Sequence, residues 1–136
     1  MGMYTEIVIK IDFDRKTIGS DNFDILEYMF KRDSNLEIED LTLPEHEFFR
    51  CNRWDSVGNM CSFYHHPNSI SDWYVPHYQA DKDSVYLFAR NDLKNYDSEI
   101  EKFFDWLNTL NLMYEDDYIG YSLYEEDNAP TIYHKG

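Results

Sequence analysis

Positive charge is scarce in this sequence. Only 12 lysines and arginines stand against 27 aspartates and glutamates, a formal net charge of −15 over 136 residues. A field of that sign repels phosphates, which argues against direct contact with nucleic acid or with an anionic membrane surface. Long apolar runs are missing too, and MGMYTEIVIK lacks the basic start and small-residue cleavage site of a signal peptide. The expectation is a soluble protein of the cytoplasm. Cysteine is limited to Cys51 and Cys61, which a cytosolic chain keeps as reduced thiols. There is no glycine-rich phosphate loop, no G-x-S-x-G elbow, no H-E-x-x-H pair and no EF-hand spacing. No catalytic centre, cofactor or metal is therefore expected, and the chain reads as a non-enzyme.

Aromatic side chains are plentiful: 12 Tyr, 9 Phe and 3 Trp. Acidic disordered chains are poor in aromatics, so this composition points to a packed core, within one domain spanning 1–136. In the first segment Ile7, Ile9, Ile11 and Phe13 alternate with polar residues, the two-residue period of a strand with one buried face. Ile25, Leu26, Met29 and Phe30 then make a helical stripe after a Ser20-Asp21 start and ending near Arg32. A long acidic connection follows, and Arg50 to His66 carries weak strand signals. Val85, Leu87 and Ala89 alternate within a better strand, Ser84 to Arg90. Ile100, Phe103, Phe104 and Leu107 mark a helix opened by a capping box of Ser98 and Glu101.

The stretch YEDDYIGYSLYEED, Tyr114 to Asp127, sets four tyrosines among two acid triplets. A strict two-residue alternation predicts a strand with Ile119, Tyr121 and Leu123 facing the helices and Tyr118 and Tyr124 on the other side. Thr131 to His134 returns as a short terminal strand after the turn at Asn128-Ala129-Pro130. Strand, helix, strand, strand, helix, strand, strand is the order of an α+β, ferredoxin-like βαββαβ sandwich with an extra C-terminal edge strand, two helices covering one face of an antiparallel sheet. The free face would be covered by Leu36 to Phe49 and Ser69 to Tyr78, bringing Phe48, Trp73 and Tyr74. Left bare, it would be an interface anchored on Tyr118 and Tyr124, with Glu115, Asp116, Asp117, Glu125, Glu126 and Asp127 as its polar rim, for a homodimer or another partner.

Other constellations are weaker. Cys51, Cys61, His65 and His66 carry zinc-ligand side chains, yet nine residues separate the cysteines, where structural sites use about two to four. Packing and turn roles are expected instead. Arg50, Arg53 and Trp54 in FFRCNRWD form a basic, aromatic cluster that either neutralises acids at the core edge or binds an anionic small molecule. Pairing with acids is the commoner use.

At LKNYDSEIEKFFDWL (Leu93 to Leu107) and IGYSLYEEDNAPTIYHK (Ile119 to Lys135), and more loosely at YTEIVIKIDF and FFRCNRW, the chain resembles a group of small acidic uncharacterised proteins encoded by phages and prophages of Gram-positive bacteria. The resemblance implies a setting, the cytoplasm of the bacterial host cell, without implying an activity; in that setting small acidic proteins often act by stoichiometric binding. The leading expectation is a binder that blocks a basic surface on a bacterial nucleic-acid-processing or anti-phage defence protein. Sequestration of an anionic nucleotide signal and neutralisation of a basic toxin by an immunity-type protein are the alternatives.

Overall fold

The computed structural model describes residues 4–31, 35–57, 77–112 and 118–134. Strand β1, Thr5–Asp14, follows the predicted alternation: Ile7, Ile9, Ile11 and Phe13 are at most 3% exposed. It pairs antiparallel along its length with β3, Ser84–Leu93, and on its other edge with β4, Tyr118–Tyr124. The short strands β2, His77–Ala80, and β5, Thr131–His134, flank β3 and β4. The result is an α+β fold with a five-stranded, wholly antiparallel sheet in the order β2-β3-β1-β4-β5.

Helix α1 is a single turn, Arg15–Ile18, capped by the Asp14 carboxylate, which accepts from the Lys16 amide at 3.2 Å. Gly19, at φ 87°, then redirects the chain into α2, Ser20–Phe30. Its stripe of Ile25, Leu26, Met29 and Phe30 is buried as expected, and α3, Glu99–Leu107, buries Ile100, Phe103, Phe104, Trp106 and Leu107. Both helices join the inward side chains of β1 and β3 in one hydrophobic cluster.

The segment between α2 and β2 departs from expectation. Arg50 to Val57 is not a strand but the end of a 3-10 turn, Glu47–Arg50, followed by further turns; the rest of the expected strand, with Cys61, His65 and His66, lies outside the described residues. Phe48 does not cover the free sheet face. It packs on the helix side, 5.8 Å from Trp106 with planes 16° apart and 5.1 Å from Phe103. His46 holds it there: its Nδ1 accepts from the Phe48 amide at 3.1 Å, so its Nε2 carries the proton toward Asp105 on α3 at 3.0 Å. An aromatic residue beside a helix already lined with Phe and Trp gains more by joining that layer than by crossing to a half-polar sheet face. Trp73 and Tyr74 lie outside the described residues.

The register of β4 is the second correction. Gly120 opposes Ile9, Ser122 opposes Ile7 and Tyr124 opposes Thr5, so these β4 residues share the helix face. Tyr121 and Leu123 oppose Val8 and Glu6 and share the other face. A bulge between Tyr118 and Gly120 inserts one residue: Tyr118 opposes His134 while Gly120 opposes Tyr133. Ile119 is consequently buried toward the helices, as predicted, but the alternation slips by one beyond it. Tyr118 and Tyr124 therefore lie on opposite faces and cannot anchor one surface together.

The cause is Gly120 itself. Its φ is 152°, and a Cβ there would meet the Val8 carbonyl oxygen and stand 2.8 Å from the Phe104 ring. Without a side chain, the strand bends under Phe104 and carries the extra residue.

Candidate binding cleft

A cleft of about 670 Å³ opens where β4 and β5 meet the connection between β3 and α3. Its sheet wall is Thr5, Ser122 and Tyr124 with Thr131 and Tyr133 of β5, and Asp127 stands in the β4–β5 turn. The opposite wall is Lys94, Asn95 and Tyr96 with Glu101 of α3.

Both walls are held by specific contacts. The Tyr133 ring stacks on Phe104, 3.9 Å between centroids and 4° between planes, and its hydroxyl sits 3.1 Å from the Ser122 hydroxyl. Burial pushes the Tyr133 phenol upward, the Ser122 hydrogen bond pulls it back, and the nearby Glu101 carboxylate raises it further. At the sheet end, the Tyr4 amide donates to the Glu125 carboxylate at 3.0 Å and the Glu125 amide to the Tyr4 carbonyl at 3.1 Å. This fixes the turn that carries Asp127.

On the opposite wall the predicted capping box does not form: Ser98 makes no side-chain cap and has left-handed backbone, φ 56°, as does Asp97, φ 57°. Asn95 replaces it. Its Oδ1 accepts from the Ile100 amide at 2.9 Å, and its Nδ2 donates to both Glu101 oxygens, at 2.7 and 2.9 Å. An amide reaching five residues ahead satisfies a free helix N–H and orients the Glu101 carboxylate in one stroke.

Arg53 braces the same connection from within. Its guanidinium forms an ion pair with Glu99, whose side chain is 2% exposed, donates to the Lys94 carbonyl at 2.6 Å, and lies 4.8 Å over the Tyr96 ring. Trp54 is buried and packs against Tyr28 and Phe49, while Arg50 is exposed at the end of the 3-10 turn. The structure thus separates the trio read as an anion site and gives Arg53 the role of neutralising a buried acid. Cys51 is a buried free thiol, and burial raises its ionisation above the ordinary cysteine range.

Of the residues read as a partner surface, Tyr124 and Asp127 line the cleft, while Glu125 and Glu126 are exposed in the adjoining turn. Tyr118 stands on the far face, near enough to Tyr121 to raise the latter's phenol. Glu115, Asp116 and Asp117 lie outside the described residues. Asn95, Tyr96 and Tyr133 were not singled out from the sequence, and Glu101 was read there only as half of a helix cap. The isolated glycine in β4 was the signal for the bulge that reverses the strand and brings Tyr124 into the cleft.

Among the described residues no group of His, Cys, Asp and Glu could hold a metal ion, and no helix is long and apolar enough to cross a membrane. No family model, no curated protein and no solved structure matches the chain.

Proposed function

We propose that this protein is a non-enzymatic binder of a basic protein surface, acting in the bacterial cytoplasm of a phage-infected or lysogenic cell on a nucleic-acid-processing or defence protein. The observation that carries the reading is the net charge of −15 together with the exposed run Glu125, Glu126 and Asp127 at the mouth of a tyrosine-lined cleft. Carboxylates steer a basic partner inward over long range, and aromatic rings provide the short-range hold. An anionic nucleotide is a poorer fit, because Arg53 is already paired with Glu99 and Trp54 is buried.

We also read the topology as a ferredoxin-like sandwich extended by one strand. In support, β3 lies between β1 and β2, β1 lies between β3 and β4, and a helix occurs in each of the crossovers β1 to β2 and β3 to β4. Strand β5 is the departure, added beyond β4.

The test is capture from lysate of a Gram-positive host at low and moderate salt, followed by association kinetics with the recovered partner. Association should slow steeply with salt while dissociation changes little. Recovery of no specific partner at either salt concentration rejects the reading.

A further inference from the structure

We infer that the cleft between Tyr124 and Glu101 is the seat of an arginine side chain presented by the basic partner. The inference rests on the reading above and names the atoms that would make it specific. Among the described residues, two carboxylates, Glu101 and Asp127, and three tyrosines, Tyr96, Tyr124 and Tyr133, line the cleft with one cation, Lys94. The Lys94 ammonium lies 5.8 Å from the Tyr4 ring, so part of its field is spent on the protein's own aromatic.

Each wall offers what a guanidinium needs. Asn95 fixes the Glu101 carboxylate through its Nδ2, at 2.7 and 2.9 Å, leaving acceptor capacity for a second donor. Asp127 donates its backbone amide to the Tyr124 carbonyl at 2.9 Å and itself lines the cleft. Tyrosine faces attract cations, and the Ser122, Thr5 and Thr131 hydroxyls can accept the remaining N–H donors.

The chain already uses this chemistry on its own arginines. Arg53 pairs with Glu99 and lies 4.8 Å over Tyr96, and Arg90 pairs with Glu6, which also accepts from the Tyr121 hydroxyl at 2.8 Å. Arginine is favoured over lysine because its planar, weakly hydrated guanidinium stacks on rings and forks onto carboxylates at the same time. At about 670 Å³ the cleft has room for the side chain and its flanking backbone.

The experiment is an amide-resonance titration of the folded protein with acetyl-Gly-Arg-Gly-amide, its lysine counterpart and its citrulline counterpart, the last an uncharged isostere. The arginine peptide should shift Thr5, Lys94, Asn95, Ser122, Tyr124 and Thr131 saturably. It should bind about tenfold tighter than the citrulline peptide and measurably tighter than the lysine peptide. Asp127→Lys, an exposed turn substitution that leaves the core untouched, should weaken the arginine peptide by about tenfold.

Equal binding of arginine and citrulline peptides overturns the inference, as do shifts spread over the acidic surface without saturation, or no shifts in the cleft. A lysate partner held as tightly by Asp127→Lys as by the unaltered protein overturns it too, while leaving the basic-partner reading standing. Recovery of no lysate partner rejects that reading alone, and the peptide titration still decides the cleft.

Discussion

Tyr133 lies flat on Phe104, with 3.9 Å between ring centroids, and so ties the last strand of the sheet to helix α3. Strand β5 is four residues long and, among the described residues, pairs with β4 alone, so this stack adds to the backbone ladder that holds it. Tyr133→Ala should destabilise the protein by about 1–2 kcal/mol in urea unfolding, from lost stacking and lost apolar burial. Tyr133→Phe keeps the ring and loses only the Ser122 contact, and should cost about half as much. Equal losses would show that the hydroxyl, not the stack, holds the strand.

Gly120→Ala should be far more damaging than its single methyl suggests. The new Cβ would meet the Val8 carbonyl oxygen and the Phe104 ring, and the backbone at φ 152° is one that residues other than glycine rarely adopt. A loss of about 2–4 kcal/mol is expected from strain and forced repacking. Thermal unfolding of the variant measures it, and a loss below that of an ordinary surface substitution would contradict the bulge.

The Arg53–Glu99 pair predicts an asymmetry. Glu99 is nearly sealed from solvent while Arg53 keeps 30% of its side chain exposed. Arg53→Met strands a buried carboxylate and should cost about 3 kcal/mol, whereas Glu99→Gln leaves an arginine that still reaches water and the Lys94 carbonyl, at about 1 kcal/mol. The double variant should recover part of the Arg53→Met loss. A cycle in which the two single losses simply add would remove the pairing from the account.

Alkaline pH provides a further check. Burial, and then the Glu6 carboxylate that accepts its hydrogen bond, push the Tyr121 phenol up to about 12. The folded state therefore holds this proton more tightly than the unfolded chain, which releases it near an ordinary tyrosine value of about 10. The stabilisation is complete below about 10 and is lost as pH rises toward about 12. Unfolding midpoints measured across that window should fall less steeply in Tyr121→Phe, and phenolate absorbance should show a late-titrating tyrosine that the variant lacks.

The elements with clean periods were legible in the sequence. Ile7, Ile9, Ile11 and Phe13 alternate without interruption, and Ile100, Phe103, Phe104 and Leu107 hold a helical stripe, so burial on one face was written directly into their spacing. In β4 the same rule misled beyond Ile119, because a bulge is a backbone event at one glycine and the side chains around it carry no mark of the slipped register. The helix cap was misread for a related reason: Ser98 and Glu101 have capping-box spacing, yet Asn95 caps the neighbouring Ile100 amide and takes the Glu101 carboxylate from further back. The cleft depends on pairings such as Thr5 with Tyr124, which no local pattern encodes.

Strand β1 precedes both of its neighbours in the chain yet occupies the middle of the sheet, and at its outer end Tyr4 bonds to Glu125, 121 residues away. During synthesis its Ile-rich edge groups must wait unpaired until β3 and then β4 have left the ribosome. Loop closures of that span slow the search for the native state and expose a sticky strand meanwhile. Lys10 and the three acids Glu6, Asp12 and Asp14 on that strand would act as gatekeepers, keeping nascent copies of β1 from pairing with one another before their proper partners arrive.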